Sequence, residues 1–285
     1  MKILIDGDVL RYSCGFSAEI PIWTVVVHGE SQPRATFRYK KELDEWVESV
    51  GLNKEEYTAV KDKEIQPVSH ALHATKEKIN YILLRTNATD YQIYLTGQGN
   101  FREEIATIVP YKGNRDSSNK PVHYDKITRY LIENWGAKVI DNIEADDALG
   151  ITQWKDYSSK ITKDGLKTAL STTICTIDKD LNMIPGWHYS WDKDILYFID
   201  EETALMWFYS QLILGDKTDN IKGVPGCGVK AAYDALKDCD TEEDMFWSVL
   251  CLYEKKYDKP LEAMIENARL LWILRNENEM WNPPV

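Results

Sequence analysis

Acidic side chains cluster in four short motifs of this sequence. These are IDGD at 5–8, EADD at 144–147, IDKD at 177–180 and GDKTDN at 215–220. Glu144 and Asp147 are three residues apart and would share one face of a helix, and the two aspartates of GDKTDN have the same spacing on a predicted helical turn. In IDKD, an extended backbone would point both aspartates to the same side. One such motif alone is a weak signal, because aspartate also caps turns and helix starts.

Together the four motifs predict a site for divalent cations. The predicted ligands are Asp6, Glu144, Asp146, Asp147, Asp178, Asp180, Asp216 and Asp219. Crowded carboxylates repel one another unless cations neutralise them. Oxygen ligands without His or Cys suit Mg²⁺ or Mn²⁺ rather than zinc, and two such ions about 4 Å apart can activate a water and stabilise the leaving oxygen of a phosphodiester. We interpret Asp8 as a turn residue or a supporting residue behind the ligands.

Two further segments are suited to binding phosphate. Residues 99–130 carry six bases and four acids, a local charge of +2 in a chain of net charge −12. Within them, Tyr111 and Lys112 pair a ring for base stacking with a cation for a scissile phosphate. In GVPGCGVKAA, 223–232, the glycines allow backbone N–H groups to approach a phosphate closely, and Lys222 and Lys230 add positive charge.

Strands that alternate with helices must position these motifs. Short apolar runs predict buried strands at 1–6, 91–96 and 171–177. Helical patterns occupy 68–84, 123–135, 145–155 and 203–214. This alternation predicts an α/β fold with a mostly parallel central sheet, whose sites form at the carboxyl ends of the strands. Residues 20–65 are predicted to be an added hairpin followed by a charged helix at 40–50, and Pro260 to start a late helix.

Composition narrows the class of protein. The chain has 285 residues, with 46 acids against 34 Lys and Arg. Its net charge argues against binding DNA through overall charge, although a local basic channel remains compatible with it. We expect no signal peptide and no membrane span, because no apolar run approaches the roughly 18 residues that a span needs. Five cysteines without a C-x-x-C pair indicate a reducing cytoplasm and no structural zinc.

The motifs together resemble the 5′-nuclease superfamily, which includes phage 5′–3′ exonucleases, flap endonucleases and the 5′-nuclease domain of bacterial DNA polymerase I. The resemblance rests on IDGD, GNFR, YKGNR, EADD, IDKD and GDKTDNIKGVPGCGVKAA in this order, and covers residues 1–10 and 91–240. It implies a PIN/5′-nuclease-like α/β core over 1–205, with the insert 20–65 and a helical arch at about 99–130. It also implies a helical region, 206–285, whose helix–three-turn–helix motif grips duplex DNA.

The resemblance implies roles for individual residues. Asp6, Glu144, Asp146 and Asp147 match the first metal group, and the other four predicted carboxylates match the second. Lys112 matches the arch lysine that contacts the scissile phosphate. The remaining matches are Arg115 as its basic catalytic companion, Tyr111 as a base-contacting residue, and Gly223, Gly226 and Gly228, with Lys222 and Lys230, as a DNA-binding loop that in relatives often holds K⁺.

One position departs from the family pattern. Where the family has an aspartate after the strand before the arch, this chain reads LTGQG, with Gly97 in that place. The loss of one ligand leaves most of the acidic group in place, so we still expect activity. It leaves open the balance between exonucleolytic and endonucleolytic cleavage.

We expect a phage-encoded, Mg²⁺- or Mn²⁺-dependent 5′–3′ exonuclease in the host bacterial cytoplasm, acting on DNA with free 5′ ends, nicks or flaps in replication or recombination. Flap cutting and RNase H-like removal of RNA primers from RNA–DNA hybrids are the enzymatic alternatives. An alternative of another class is a non-catalytic, structure-specific DNA-binding protein. The insert and the acidic segment 238–285, which has eleven acids against five bases, are also candidates for docking a replication protein.

Overall fold

The computed structural model describes residues 1–115, 119–162, 165–166 and 169–284. The described residues belong to two compact units. Unit 1 comprises 1–9, 80–118 and 131–285, and unit 2 comprises 10–79 and 119–130. All four acidic motifs lie in unit 1. The boundary predicted at residue 205 stays a prediction, and the residues on both sides of it belong to unit 1.

A mostly parallel sheet forms the centre of the described part of unit 1. Its strands are β1 (Lys2–Asp6), β5 (Asp90–Thr96), β6 (Lys138–Ile140), β9 (Thr172–Cys175), β10 (Gly186–Ser190) and β11 (Ile195–Ile199). Their order across the sheet is β11-β10-β9-β1-β5-β6. β11 runs antiparallel to β10, and the other neighbours are parallel. This confirms the predicted fold class, and the buried apolar residues of β1 are typical of a strand covered on both faces.

Helices surround this sheet in unit 1. They are α4 (Phe101–Ile105), α6 (Ala145–Ser158), α7 (Glu201–Leu214), α8 (Val229–Leu236), α9 (Glu242–Glu254) and α10 (Pro260–Leu271). Buried Phe208 of α7 packs edge-on against Trp272, with ring centroids 4.9 Å apart, and also contacts Trp281. Through these aromatic contacts the segment after α10 joins the core that contains β1 and α6.

Two small antiparallel strand pairs complete unit 1, and three helices have residues in both units. The pairs are β7 (Ile161–Thr162) with β8 (Gly165–Leu166), and β12 (Gly215–Asp216) with β13 (Ile221–Lys222). The shared helices are α1 (Gly7–Phe16), α3 (Val68–Thr86) and α5 (Tyr124–Trp135). In the described ranges, no helix combines the length and apolar character needed to cross a membrane.

Unit 2 contains the segment that sequence analysis identified as an insert. Its described strands are β2 (Glu19–Val27), β3 (Ala35–Phe37) and β4 (Tyr57–Ile65), in the order β3-β2-β4. Helix α2 (Lys40–Val50) packs on them, and Val25, Leu43 and Val47 form a small core. The predicted hairpin and charged helix are confirmed. β4 was not predicted because nearly all its side chains are exposed, so it lacks an alternating apolar pattern.

The region predicted as a helical arch, about 99–130, is only partly helical where it is described. It contains α4 and the start of α5, and residues 106–115 form turns and irregular structure. Residues 116–118 of the prediction lie outside the described residues.

Candidate active site

A cleft of about 910 Å³ lies beside the carboxyl ends of the central strands in unit 1. Its walls include acids from three of the predicted motifs: Glu144, Asp146, Asp178, Asp180, Asp216 and Asp219. Lys112, Arg115 and Lys179 also line it. Six of the eight predicted carboxylates and two of the predicted cations therefore come together in space, and the segments of Lys112 and Asp219 are more than 100 residues apart.

Asp6 lies buried behind this cleft, at the end of β1. Its carboxylate accepts hydrogen bonds from the Val9 amide at 3.0 Å and from the Thr176 hydroxyl at 2.7 Å. Gly7 follows directly, and a Cβ at that position would lie 2.4 Å from the carbonyl oxygen of Tyr94, so only glycine lets the chain turn here against β5. Burial, and then the charge of Asp8, raise the pKa of Asp6 to about 7.

Glu144 and Asp146 stand at the start of α6. The Ala145 amide donates to the Thr96 hydroxyl at 2.8 Å, which fixes this helix start against the end of β5. Burial raises the pKa of Asp146 well above its ordinary value, and the nearby charges of Asp6 and Asp178 raise it further. Asp146 is thus electrostatically linked to the ends of two neighbouring strands.

Asp178 and Asp180 reach the cleft by a different backbone path from the predicted one. The chain does not stay extended after β9, because the Asp180 amide donates to Asp178 Oδ1 at 2.9 Å and Asp180 starts a short 3₁₀ helix, Asp180–Met183. Burial raises the pKa of both carboxyls, that of Asp180 to about 7. The side-chain amide of Gln211, on α7, donates to Asp180.

Asp216 and Asp219 lie on a hairpin turn between β12 and β13, which corrects the predicted helical turn. Asp216 Oδ1 accepts the Thr218 amide at 2.6 Å, so the carboxylate itself closes the turn. This local bond competes with helix formation, as aspartate side chains commonly do in turns.

Lys112 and Arg115 place positive charge inside the cleft. Arg115 Nη2 is 2.5 Å from Asp219 Oδ1, and Lys112 Nζ is 3.5 Å from Asp219 Oδ2 and also pairs with Glu144. The Lys112 amide donates to the carbonyl oxygen of Asp219 at 2.9 Å. These contacts hold both predicted cations against the acids, while their roles toward a substrate stay predictions.

Tyr111 does not occupy the base-stacking position that was predicted for it. Its ring is buried in the core, 8% exposed, and its hydroxyl donates to Asp219 at 2.7 Å and lies 3.1 Å from Glu144. Burial and these two carboxylates raise the pKa of Tyr111. The tyrosine therefore supports the cleft from behind.

Asp147 is the second predicted residue that the structure places elsewhere. It is fully buried, and Arg102 binds it with two parallel hydrogen bonds of 2.7 and 2.8 Å. Its oxygens also accept the amides of Leu274 and Glu144, each at 3.0 Å. Both carboxylate oxygens are thus engaged inside the protein, which does not fit the predicted role of a metal ligand.

The predicted DNA-binding loop borders the cleft. Gly228 lines it together with Cys227 and Val229, whereas Lys222 and Lys230 are exposed. Two glycines are sterically required: Gly226 has a φ of +83°, and a Cβ on Gly223 would lie 2.3 Å from the Gly215 nitrogen. The phosphate- and K⁺-binding roles of this loop stay predictions.

Asp8 belongs to the acidic group more closely than sequence analysis indicated. Its Oδ1 accepts the Thr96 amide at 3.1 Å, at the end of β5, and its charge raises the pKa of Asp6 and Asp146.

Gly97, the position where the family pattern has an aspartate, directly follows Thr96. A Cβ on Gly97 would lie 2.1 Å from Asp141 Oδ1. A larger side chain at Gly97 would therefore require this turn to move.

Sequence analysis also missed the side chains that hold the ligands in place. Asn100 donates to Glu144 at 2.9 Å, and Gln211 and Arg102 bind Asp180 and Asp147. Asn100 could have been recognised as a helix N-cap, because its side chain accepts the Arg102 amide at the start of α4. Arg102 belongs to the GNFR motif, but the motif does not show that its side chain binds Asp147, and no local pattern marks Gln211.

The donor set fits a hard divalent cation. Within the ranges that the structure describes, no three His, Cys, Asp or Glu side chains converge closely enough to enclose a metal ion. The cleft nevertheless gathers carboxylates whose pKa values burial and mutual repulsion raise, and a divalent cation would relieve this repulsion.

Comparisons with known proteins find similarity to nucleases. No family model matches the chain. It is 32% identical to an exodeoxyribonuclease of Enterobacteria phage T3 over 47% of this chain and 42% of that protein, and 26% identical to a 5′–3′ exonuclease of Buchnera aphidicola over 57% and 56%. The chain thus matches about half the length of these curated relatives. A bacteriophage T5 flap endonuclease in complex with DNA and metal ions has a similar fold, with a TM-score of 0.57 at 15% identity, covering 95% of this chain and 88% of that one.

The fold and the cleft define an α/β protein whose carboxylates gather at the ends of parallel strands. Its sequence relatives are named exodeoxyribonuclease and 5′–3′ exonuclease, and this similarity supports the resemblance of its motifs to the 5′-nuclease superfamily.

The raised pKa of Asp180 predicts a pH-dependent stability when divalent metal is removed. A carboxyl with a folded pKa of about 7 and an unfolded pKa near 3.8 binds more protons in the folded state between these values, so stability falls as pH rises through this window. In EDTA, we expect Asp180→Asn to be more stable than the unchanged protein at pH 8, by about 1–3 kcal/mol, and equal to it near pH 4.

Urea unfolding at several pH values measures this difference. The exposed Asp238→Asn is the control, since its side chain is 88% exposed, and it should follow the unchanged protein throughout. Parallel pH profiles for Asp180→Asn and the unchanged protein would contradict the electrostatic description of the cleft.

Proposed function

We propose that this protein is a divalent-metal-dependent 5′–3′ nuclease that hydrolyses phosphodiester bonds of DNA at 5′ ends, nicks or flaps. The observation that carries the proposal is the meeting of carboxylates from three chain segments with Lys112 and Arg115 in one open cleft. Relatives named exonuclease and 5′–3′ exonuclease support it, as does the shared fold of a T5 flap endonuclease bound to DNA and metal ions.

The cleft carboxylates would hold the metal. We propose two Mg²⁺ or Mn²⁺ ions, and the residues that would hold them are Asp6, Glu144, Asp146, Asp178, Asp180, Asp216 and Asp219. Such ions supply Lewis acidity toward a phosphodiester and the means to activate water. Asp8 would act with this set through its charge on Asp6 and Asp146.

Lys112 and Arg115 would bind the scissile phosphate. In the structure they neutralise Glu144 and Asp219, whose charge bound metal would neutralise instead. Both side chains are long and Arg115 is about half exposed, so we propose that each turns from a carboxylate to a phosphate oxygen when substrate binds. This exchange would add two charge-assisted contacts to the reacting group.

The loop at Gly223–Gly228 would bind the backbone of duplex DNA beside the cleft. Lys222 and Lys230 are exposed there, so they can contact phosphates, and Gly228 joins the loop to the cleft wall. We further propose that K⁺ binds at this loop and that residues 20–65 dock a replication protein. We also propose that the protein acts in the cytoplasm of a phage-infected bacterium.

The carboxylates of the cleft favour an enzyme over a non-catalytic DNA-binding protein. Acids at a phosphate-binding surface would weaken DNA binding by repulsion unless metal ions bound there. DNA and RNA–DNA hybrids differ at the sugar, whereas the contacts proposed here go to phosphate, so both substrates belong in the assay.

Asp178→Asn should abolish cleavage and spare DNA binding. The change removes a metal ligand and one negative charge, so we expect the cleavage rate to fall more than about 100-fold while duplex affinity is kept or improved. The assay uses a 5′-labelled nicked or flapped duplex with Mg²⁺ or EDTA, and an RNA–DNA hybrid alongside. Fragment length separates exonuclease from flap cutting.

Asp238→Asn serves as the control with full activity. Cleavage by the unchanged protein in EDTA, or full activity of Asp178→Asn in Mg²⁺, would show that the cleft is not a metal-dependent nuclease site. DNA binding without cleavage in either Mg²⁺ or Mn²⁺ would favour the non-catalytic alternative.

Lys112→Ala should reduce turnover more than duplex affinity. Losing one donor to the reacting phosphate costs about 100-fold in kcat, while the loop contacts keep KM within about threefold. Lys179→Ala is the matched control, because Lys179 lines the same cleft and we assign it no contact with the phosphate. Equal kcat in the unchanged protein and Lys112→Ala would remove Lys112 from the reaction.

A further inference from the structure

We propose that Arg102 and Asp147 are positioning residues for the metal-binding carboxylates, and that they connect the active site to the last residues of α10 and those that follow it. We call residues 270–274 the C-terminal clamp. This inference rests on the proposed function for the identity of the ligands. It assigns the buried pair a role in metal affinity beyond its contribution to stability.

Arg102 is a fully engaged cation in the interior of unit 1. It is 2% exposed, and its guanidinium binds Asp147 through two nitrogens. Its Nε donates to the carbonyl oxygen of Leu270 at 2.9 Å, and Nη2 donates to that of Trp272 at 2.6 Å. The fixed fork of an arginine therefore joins the helix start of α6 to the C-terminal clamp.

Asp147 connects Arg102 to the backbone of a cleft residue. Its Oδ2 accepts the Glu144 amide at 3.0 Å, so it fixes the backbone of a predicted ligand. Arg102 Nη1 is also 3.9 Å from the carboxylate of Glu144. Asp146 lies between these two acids in the chain, and its side chain lines the cleft while that of Asp147 is buried. Rotation of the first turn of α6 would therefore move Glu144 and Asp146 together.

The C-terminal clamp holds the pair from the opposite side. The Leu274 amide donates to Asp147 Oδ1 at 3.0 Å, so the clamp binds both Arg102 and Asp147. Helix α6 also packs tightly on it, since a Cβ at Gly150 would lie 2.6 Å from the Leu274 carbonyl oxygen. Residues far apart in the sequence thus position one turn of α6.

A positioning role and a purely structural role predict different results. Altering one partner of a buried ion pair lowers stability, because the other charge stays buried without its full complement of bonds. Only a positioning role changes the metal affinity of the folded protein, because residues that orient ligands typically contribute 10- to 100-fold to that affinity.

The test measures Mn²⁺ binding by the electron paramagnetic resonance signal of free Mn²⁺, and separately the Mg²⁺ dependence of cleavage. Arg102→Lys keeps the charge but loses the fork, and Asp147→Asn keeps the shape but loses the charge. We expect each to raise the Mn²⁺ Kd and the half-saturating Mg²⁺ concentration about 10- to 100-fold, with cleavage recovering at saturating metal.

Arg275→Gln is the matched control. Arg275 is another buried arginine of unit 1, 9% exposed, and it donates to the Met183 carbonyl oxygen. We expect it to lower Tm without changing the Mn²⁺ Kd. If Arg102→Lys does not fold, the Mn²⁺ Kd of Asp147→Asn decides the proposal.

The outcomes separate this proposal from the proposed function. An unchanged Mn²⁺ Kd in folded Arg102→Lys and Asp147→Asn would overturn the positioning role, as would a protein that binds no Mn²⁺ at all. If the unchanged protein binds Mn²⁺ and cleaves no nucleic acid, the nuclease proposal fails, while the shift in Mn²⁺ Kd still decides the role of Arg102.

Discussion

Repulsion between carboxylates at one edge of a parallel sheet is the constraint on which the rest of this structure depends. Parallel strands bring their carboxyl ends to the same edge, so acids that follow β1 and β9 become neighbours. Burial adds to their repulsion and raises the pKa of Asp6 and Asp180 to about 7. Such a group is compatible with folding because hydrogen-bond donors and cations surround it, and it has a strong electrostatic preference for added positive charge.

The chain supplies two kinds of counter-charge. Lys112 and Arg115 lie in the open cleft, where metal ions or a phosphate can compete for the groups they bind. Arg102 lies behind the cleft, with its donors committed to Asp147 and to backbone carbonyls. This division suits a site that exchanges its ions while its ligands stay in place. Lys112 and Arg115 border the solvent, where their ion pairs can be exchanged. Arg102 stays bound to Asp147, and its planar guanidinium fixes the geometry as well as the charge.

The sequence was most informative where the signal is local. Apolar runs bounded by turn residues predicted β1, β5 and β9, and the order of the acidic motifs identified the cleft. The same reasoning could not separate Asp146 from its neighbour Asp147, because only a contact with distant Arg102 decides which carboxylate is buried. Tyr111 likewise looked suited to stacking beside Lys112, whereas its ring completes the core. Strand β4 escaped prediction because its exposed side chains carry no periodic apolar pattern.

The location of bound metal, seen as anomalous scattering from crystals soaked in Mn²⁺, tests most directly whether these carboxylates form one metal centre. Peaks within about 2.0–2.5 Å of oxygens of Asp146, Asp178 and Asp180, with Asp147 still bound to Arg102, are the expected result. A cleft without a peak at saturating Mn²⁺, or a peak coordinated by Asp147, would contradict the assignment of this cleft and of the residues that support it.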